Sequence, residues 1–240
     1  TDAILNRPLA AMASWIQQVI NDTKSRPDWQ VKFIPTLCPN CSWDLEGEKE
    51  ALVLLCRNCD SAWRPSGTQL ERIPFAVMEC PDETAVYLPF WRMKAQIEGI
   101  RLESFADMVR LANLPKAITR ALEEKEHYFW SPAFKINPAV FQRWSRQMTI
   151  YQPEDRMLEN LARRTFHPVT LPVSEAAEGI ALTIADVITD KRRFFPTLPH
   201  LKTNLADSLL VYQPFVRNRS ELVHAAMKIA IDKNALAFGS

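Results

Sequence analysis

Glycine is scarce in this chain of 240 residues. Five glycines occur, and none lies within three residues of another: Gly47, Gly67, Gly99, Gly179 and Gly239. Phosphate-binding loops and nucleophile elbows need closely spaced glycines, because the backbone bends sharply or approaches the ligand there. Walker loops, dinucleotide fingerprints, kinase glycine loops and G-x-S-x-G elbows are therefore excluded. No catalytic motif is readable, so we expect a protein that is not an enzyme and has no small-molecule substrate.

The chain also lacks an excess of either charge and a long apolar run. Its 29 basic and 28 acidic residues leave a net charge of +1, whereas proteins that mainly bind phosphate backbones are usually strongly basic. No apolar run reaches the roughly 18 residues of a transmembrane helix, and no secretory leader is visible. We therefore expect no membrane span, and nucleic acid is not the favoured partner. With 47% apolar residues, the chain can bury a substantial core.

Four of the five cysteines form two C-x-x-C pairs, Cys38 with Cys41 and Cys56 with Cys59, separated by 14 residues. Each pair supplies two thiolates from a tight turn, and this linker is long enough for two strands that bring the turns together. The spacing predicts one tetrahedral metal site. The fifth, Cys80, lies near acidic residues that disfavour a reactive thiolate, so we expect it to be buried filler.

Two metals suit four thiolates. Zn²⁺ makes a closed structural site, and Fe makes a one-electron carrier. Ligand type and spacing favour zinc, because Ser42 and Asp60 stand where rubredoxin knuckles usually have glycine. Two disulfides would need an oxidising compartment. Reduced metal-binding cysteines instead favour a cytoplasmic protein.

The segment from about residue 33 to residue 64 resembles the zinc-ribbon class. Trp43 to Leu45 would leave the first knuckle, 46–50 would turn, 51–55 would return as a buried strand, and a further strand would follow at 61–63. The resemblance implies a role as a nucleic-acid grip, a protein-docking module or a folding staple. It covers little more than an eighth of the chain, and no family is named for the rest.

A second pattern is aromatic, any residue, proline, which involves eight of the 17 prolines. Three copies extend to aromatic-x-Pro-apolar-apolar-basic, at 87–92, 130–135 and 212–217, and 166–169 resembles a shortened copy. Proline favours an extended neighbour and removes a ladder donor, so each copy predicts a strand start or an edge strand. The pattern fits a diverged strand–helix repeat.

These copies have two interpretations. They either form an aromatic docking surface or share a packing device inside the core. The docking interpretation proposes six partner-binding residues: Tyr87, Trp91, Arg92, Trp130, Tyr212 and Arg217. Aromatic residues and arginine are enriched at protein interfaces.

Helical patterns fill the remaining sequence. We predict an N-terminal amphipathic helix within 1–30, then helices at about 102–112, 116–128, 138–148, 153–165 and 174–189, and a final strand near 223–231. The expected fold is α+β, with a four-cysteine ribbon and a larger domain of short strands and amphipathic helices. The predicted divisions are 1–30, 31–80 for the ribbon and 81–240 for the larger domain.

The predicted function is a non-enzymatic zinc-ribbon protein that serves as an interaction or scaffold subunit with protein partners. One alternative is nucleic-acid binding through Arg57, Trp63 and Arg64 beside the metal. The other is rubredoxin-like electron transfer with iron.

Overall fold

A computed structural model describes residues 34–154, 156–161, 164–189, 191–194, 196 and 201–236 of the chain. The predicted N-terminal helix lies outside these residues. The strands are β1 (Leu54–Cys56), β2 (Ser61–Ser66), β3 (Gln69–Ile73), β4 (Phe75–Met78), β5 (Val86–Ile97), β6 (Phe129–Pro132), β7 (Met157–Leu158), β8 (Thr165–Phe166), β9 (Thr203–Asn218), β10 (Glu221–His224) and β11 (Ala230–Asp232). The helices are α1 (Phe105–Leu111), α2 (Arg120–Glu124), α3 (Pro138–Tyr151), α4 (Val173–Glu178), α5 (Ile180–Val187), α6 (Lys191–Phe194) and α7 (Lys233–Leu236).

The four ligand-type cysteines belong to a small antiparallel sheet of β1, β2 and β3. We call residues 35–73 the cysteine module. Cys56 pairs with Ser61 across the β1–β2 turn, so the second C-x-x-C pair forms this turn. Isolated bridges join Leu37 to Asp44 and Glu46 to Leu55, and they tie the first C-x-x-C turn to the sheet.

The larger sheet is mixed and has eight strands. Its centre is the long antiparallel pair of β5 and β9. Along its edge away from β9, β5 pairs with β8 in parallel and with β6 antiparallel. Along its edge away from β5, β9 pairs with β4 in parallel and with β10 antiparallel. Together with the helices, the two sheets confirm the α+β class.

The two best copies of the aromatic-proline pattern lie on this central pair. The sequence Val-Tyr-x-Pro-Phe-x-Arg occurs at 86–92 in β5 and at 211–217 in β9. The register pairs Tyr87 with Pro214 and Pro89 with Tyr212, so the two copies face each other. The expectation of strand starts or edge strands is wrong for these prolines, because both lie inside central strands.

The ladder pattern explains how the sheet accommodates two prolines, which have no N–H group to donate. Hydrogen-bonded and non-bonded pairs alternate in an antiparallel ladder. The pairs that contain proline must be non-bonded, so each proline nitrogen faces away from the partner strand. Pro89 lies there between the ends of β8 and β6, and Pro214 lies between β4 and β10. At neither position does a paired strand residue require a hydrogen bond from the proline nitrogen. The proline carbonyls accept instead from loop residues, Pro89 from Ala133 N at 2.9 Å and Pro214 from Ala225 N at 3.0 Å.

The central pair has a hydrophobic cluster on each face. Side chains alternate along β5, so Tyr87 and Trp91 enter one cluster while Leu88 and Phe90 enter the other. Helices α1, α4 and α5 supply the first cluster, together with parts of the cysteine module. Helix α3 and the β10–β11 hairpin supply the second. The described part of the molecule from Pro35 onward thus forms one compact unit.

Several predicted elements differ from the structure. Helix α3 begins after Asn137 as predicted, and the Asn137 side chain accepts from Ala139 N at 2.9 Å. The helix predicted at 153–165 is wrong, because β7 and β8 within it pair with β4 and β5. The prediction for 116–128 reduces to α2, and 174–189 divides into α4 and α5 at Gly179. The final strand is two strands, β10 and β11.

Candidate metal centre

The structure brings the four predicted ligands together. The Sγ atoms of Cys38, Cys41, Cys56 and Cys59 all lie within 4.8 Å of one another. Cys38 Sγ is 3.6 Å from Cys59 Sγ, and Cys41 Sγ is 3.4 Å from Cys56 Sγ. A tetrahedron with metal–sulfur bonds of about 2.3 Å has sulfur–sulfur edges of roughly 3.8 Å. The cluster therefore has dimensions that suit one tetrahedral metal ion.

The backbone of each C-x-x-C turn adopts a conformation that local sequence does not favour. Ser42 follows the first pair with φ 59°, and Asp60 follows the second with φ 48°. This left-handed region favours glycine, because a Cβ atom crowds the following carbonyl. The first turn is closed by hydrogen bonds from Ser42 N to Cys38 O and from Cys38 N to Trp43 O, both 2.8 Å. Both turns thus hold a strained residue beside the ligands.

The thiols of the cluster have opposite pKa shifts. Burial opposes a charge on Cys38, but backbone N–H groups of Asn40 and Cys41 stabilise its thiolate and lower the pKa to about 6. For Cys41, the Asn58 side chain is the largest of the effects that lower the pKa. Burial raises the pKa of Cys56 to about 12. Four thiolates this close repel one another, so only a bound cation allows all four to ionise together.

The buried hydroxyl of Ser61 contacts the sulfur cluster. Trp63 Nε1 donates to Ser61 Oγ at 2.8 Å, and this hydroxyl contacts Cys59 Sγ at 3.1 Å. Ser61 is fully buried and Trp63 is 8% exposed. The indole therefore fixes a hydroxyl that faces the ligands, and it is not exposed for stacking on a base. Cys80 is buried in the core and lies outside the four-sulfur group.

Three hydrogen bonds join the cysteine module to residues that come just before and just after β8. Leu52 N donates to Val169 O at 2.7 Å, and an Arg57 Nη donates to Arg164 O at 3.1 Å. Leu161 N donates to Asp60 Oδ1 at 2.9 Å. Two of these contacts come from residues inside or next to the second C-x-x-C turn. The geometry around the metal ligands is thus coupled to the packing of the larger unit.

The six residues proposed for partner binding do not form one surface. The four aromatic side chains, at positions 87, 91, 130 and 212, are at most 4% exposed. Trp91 Nε1 donates to Leu171 O at 2.9 Å, which is a core contact. Arg92 is half-buried over the Tyr128 ring, and Arg217 is exposed at the far end of β9. These aromatic residues therefore pack the core.

Sequence reasoning missed a different apolar group beside the first C-x-x-C turn. Leu37 is 49% exposed and Trp43 is 60% exposed. They flank Cys38 and Cys41, and the bridge between Leu37 and Asp44 holds their backbones side by side. We call Leu37 and Trp43 the apolar tip. An apolar residue beside a metal turn was visible in the sequence, but its exposure depends on how the module packs.

Comparisons with protein-family models, with curated proteins and with solved structures find no match to this chain. Within the described residues, every helix is too short or too polar to cross a membrane.

Proposed function

We propose that the cysteine module is a zinc ribbon and that it serves as a protein-docking module of a larger assembly. The exposed indole of Trp43 is the observation that carries the docking role. A metal centre that only stapled the fold would not need a large aromatic side chain 60% exposed next to a ligand. Exposed aromatic anchors are typical of binding hot spots.

The metal part of this proposal uses the donor set. Four thiolates with no further ligand type suit Zn²⁺ in a closed structural site. Zinc would supply the positive charge that lets all four thiols ionise, and it would hold the two turns together. The residues that would hold it are Cys38, Cys41, Cys56 and Cys59.

The charge of the cysteine module favours a protein partner. The cysteine module has six acidic and four basic residues. Asp44, Glu46, Glu48 and Glu50 follow the first C-x-x-C turn, and all four are exposed. A module with more acidic than basic residues repels a phosphate backbone and complements a basic protein surface. The proposed partner therefore has an apolar pocket for the indole with basic residues around it.

The nucleic-acid alternative is weakened, because acidic side chains of the module pair with the two arginines proposed to bind phosphate. Arg57 Nε lies 2.6 Å from Glu46 Oε2, and an Arg64 Nη lies 2.7 Å from Glu71 Oε2. Both guanidinium groups are therefore neutralised within the module. The third member of the grip, Trp63, is buried. Visible absorption distinguishes the iron alternative from zinc, because ferric thiolates absorb visible light and zinc thiolates do not.

Two measurements test the proposal. Metal analysis of the purified protein should find about one zinc ion per chain and no visible absorption band. Capture of partners from native extract should then be compared between wild type and Trp43→Ala, with Leu182→Ala as the matched control. Leu182 is 64% exposed on α5 and lies outside the module.

The docking role predicts that Trp43→Ala releases a protein partner that Leu182→Ala retains, while zinc content stays unchanged. Equal capture by both variants would remove the docking role and leave only a folding staple. Partners that disappear after nuclease treatment would replace it with nucleic-acid binding.

A further inference from the structure

A cavity of about 510 Å³ opens beside β5 and β6, away from the cysteines. Its lining includes Arg92, Tyr128, Trp130, Lys125, Arg156 and Met157. Small-ligand sites usually occupy about 300–1,000 Å³, so the volume suits a small molecule. Basic residues outnumber acidic ones in the lining, three against two.

Arg92 is the notable member of this lining. Its guanidinium lies over the Tyr128 ring, 4.4 Å from the centroid. The hydrogen bond it makes is weak, from Nη1 to Met157 Sδ at 3.8 Å. Its Nε is buried and has no hydrogen-bond partner. Across the described residues, no carboxylate forms an ion pair with it.

The nearby acids are already engaged. Glu126 pairs with Lys94 and accepts from the Tyr128 hydroxyl. Glu154 pairs with Lys125. Removing an arginine charge from water without a partner is costly. Lys94, Tyr128 and then Arg92 lower the pKa of Glu126, so this carboxylate lies within electrostatic range of Arg92, but no carboxylate of the described residues forms an ion pair with the guanidinium.

A second group in the same lining also lacks its partner. Trp130 is 1% exposed, and its buried indole Nε1 has no hydrogen-bond partner within the described part of the chain. It is the register partner of Arg92 across β5 and β6, so the two side chains are neighbours on one face of the sheet. The lining thus holds two buried donor atoms, Arg92 Nε and Trp130 Nε1, that have no acceptor among the described residues.

We propose that this cavity binds the oxyanion group of a small organic molecule, with Arg92 as the cation that recognises it. A guanidinium presents paired N–H donors that match the two oxygens of a carboxylate or a phosphate. The Trp130 indole adds a donor, and the faces of Tyr128 and Met157 offer an apolar surface for the rest of the molecule. This proposal is independent of the metal centre.

The test uses the full-length, zinc-loaded protein and two probes, inorganic phosphate and malonate, at constant ionic strength held with sodium chloride. Binding is followed through the indole ¹H–¹⁵N signal of Trp130, assigned with Trp130→Phe. We expect a saturable shift of this signal. The probe that binds more tightly identifies whether the site prefers phosphate or carboxylate.

The variants decide whether Arg92 is responsible. Arg92→Met keeps an unbranched stem without the charge, and we expect at least a tenfold weaker affinity. Arg92→Lys keeps the charge without the paired donors and should bind more weakly than wild type. The control is Arg217→Met, because Arg217 occupies the same place in the second copy of the repeat and is exposed outside the cavity. It should bind like wild type.

Three results would overturn the proposal. The first is a Trp130 signal that does not shift with either probe. The second is equal weakening by Arg92→Met and Arg217→Met, which would mean general charge attraction. The third is an Arg92→Lys variant that binds as tightly as wild type, which would remove the paired recognition.

Discussion

Replacing one metal ligand should unfold the cysteine module and weaken the whole compact unit. Cys56→Ser removes one of the four sulfur atoms of the cluster. Because zinc binding and folding are one process in such modules, residues 35–73 should lose their structure. A bound metal ion would join the two turns, and its loss would remove part of the energy that offsets the left-handed strain at Ser42 and Asp60.

The magnitude follows from what the module contributes to the larger unit. Its three anchoring hydrogen bonds, described above, are worth about 1 kcal/mol each. Val53, Leu55 and Ile73 also enter the larger hydrophobic cluster, and their burial is worth about 2 kcal/mol each. The loss is therefore about 9 kcal/mol, which is a large part of a typical unfolding free energy of about 5–15 kcal/mol.

Trypsin digestion and urea unfolding measure this effect. The module has three bonds that trypsin can cut, after Lys49, Arg57 and Arg72, because Pro65 blocks cleavage after Arg64. They should be resistant in zinc-loaded wild type and cut rapidly in Cys56→Ser, with a large fall in the urea midpoint. The control is Cys80→Ser, which changes the one cysteine outside the cluster and should keep the zinc and the resistance. An unchanged digestion pattern in Cys56→Ser would refute the reasoning.

Two further predictions concern acid stability and the metal turns. Burial lowers the pKa of His127 to about 4, against about 6.5 in an unfolded chain. Between these values only the unfolded chain binds the proton, so stability falls as pH drops from about 6.5 towards 4, by about 2 kcal/mol for this histidine at pH 5. His127→Gln should therefore shift the urea midpoint less between pH 7 and pH 5 than wild type does, and equal shifts would contradict this. At the turns, Ser42→Gly should raise the free energy of unfolding of the zinc-loaded protein, measured by guanidinium denaturation, by about 1 kcal/mol, because glycine relieves the left-handed strain. Asp60→Gly should gain less, because it loses the bond from Leu161 N; equal gains would show that this bond contributes nothing.

Local signals predicted some elements well. Asn137 followed by Pro138 correctly marked the start of α3, because capping chemistry acts within one turn. The same kind of signal failed at 153–165, where proline and acidic residues open an apparent helix. There, Met157 and Leu158 pair with β4, and this long-range pairing overrides local propensity.

The sequence by itself determined the metal ligands and the class of fold. Two C-x-x-C turns with a short linker have few ways to arrange four thiols, so spacing alone identified Cys38, Cys41, Cys56 and Cys59. Short strand patterns together with amphipathic helix patterns likewise indicated a fold with both kinds of element. These features depend on neighbours close in sequence.

Only the tertiary structure decided which side chains are covered. The aromatic-proline copies could face a partner or the core, and strand alternation cannot distinguish a covered face from an open one. Pairing of β5 with β9, more than a hundred residues apart, buried Tyr87 and Tyr212. The same folding left Trp43 exposed and Arg92 without an ion pair to any carboxylate of the described residues. Burial and charge pairing are properties of residues distant in sequence, and for that reason they appear only after the chain has folded.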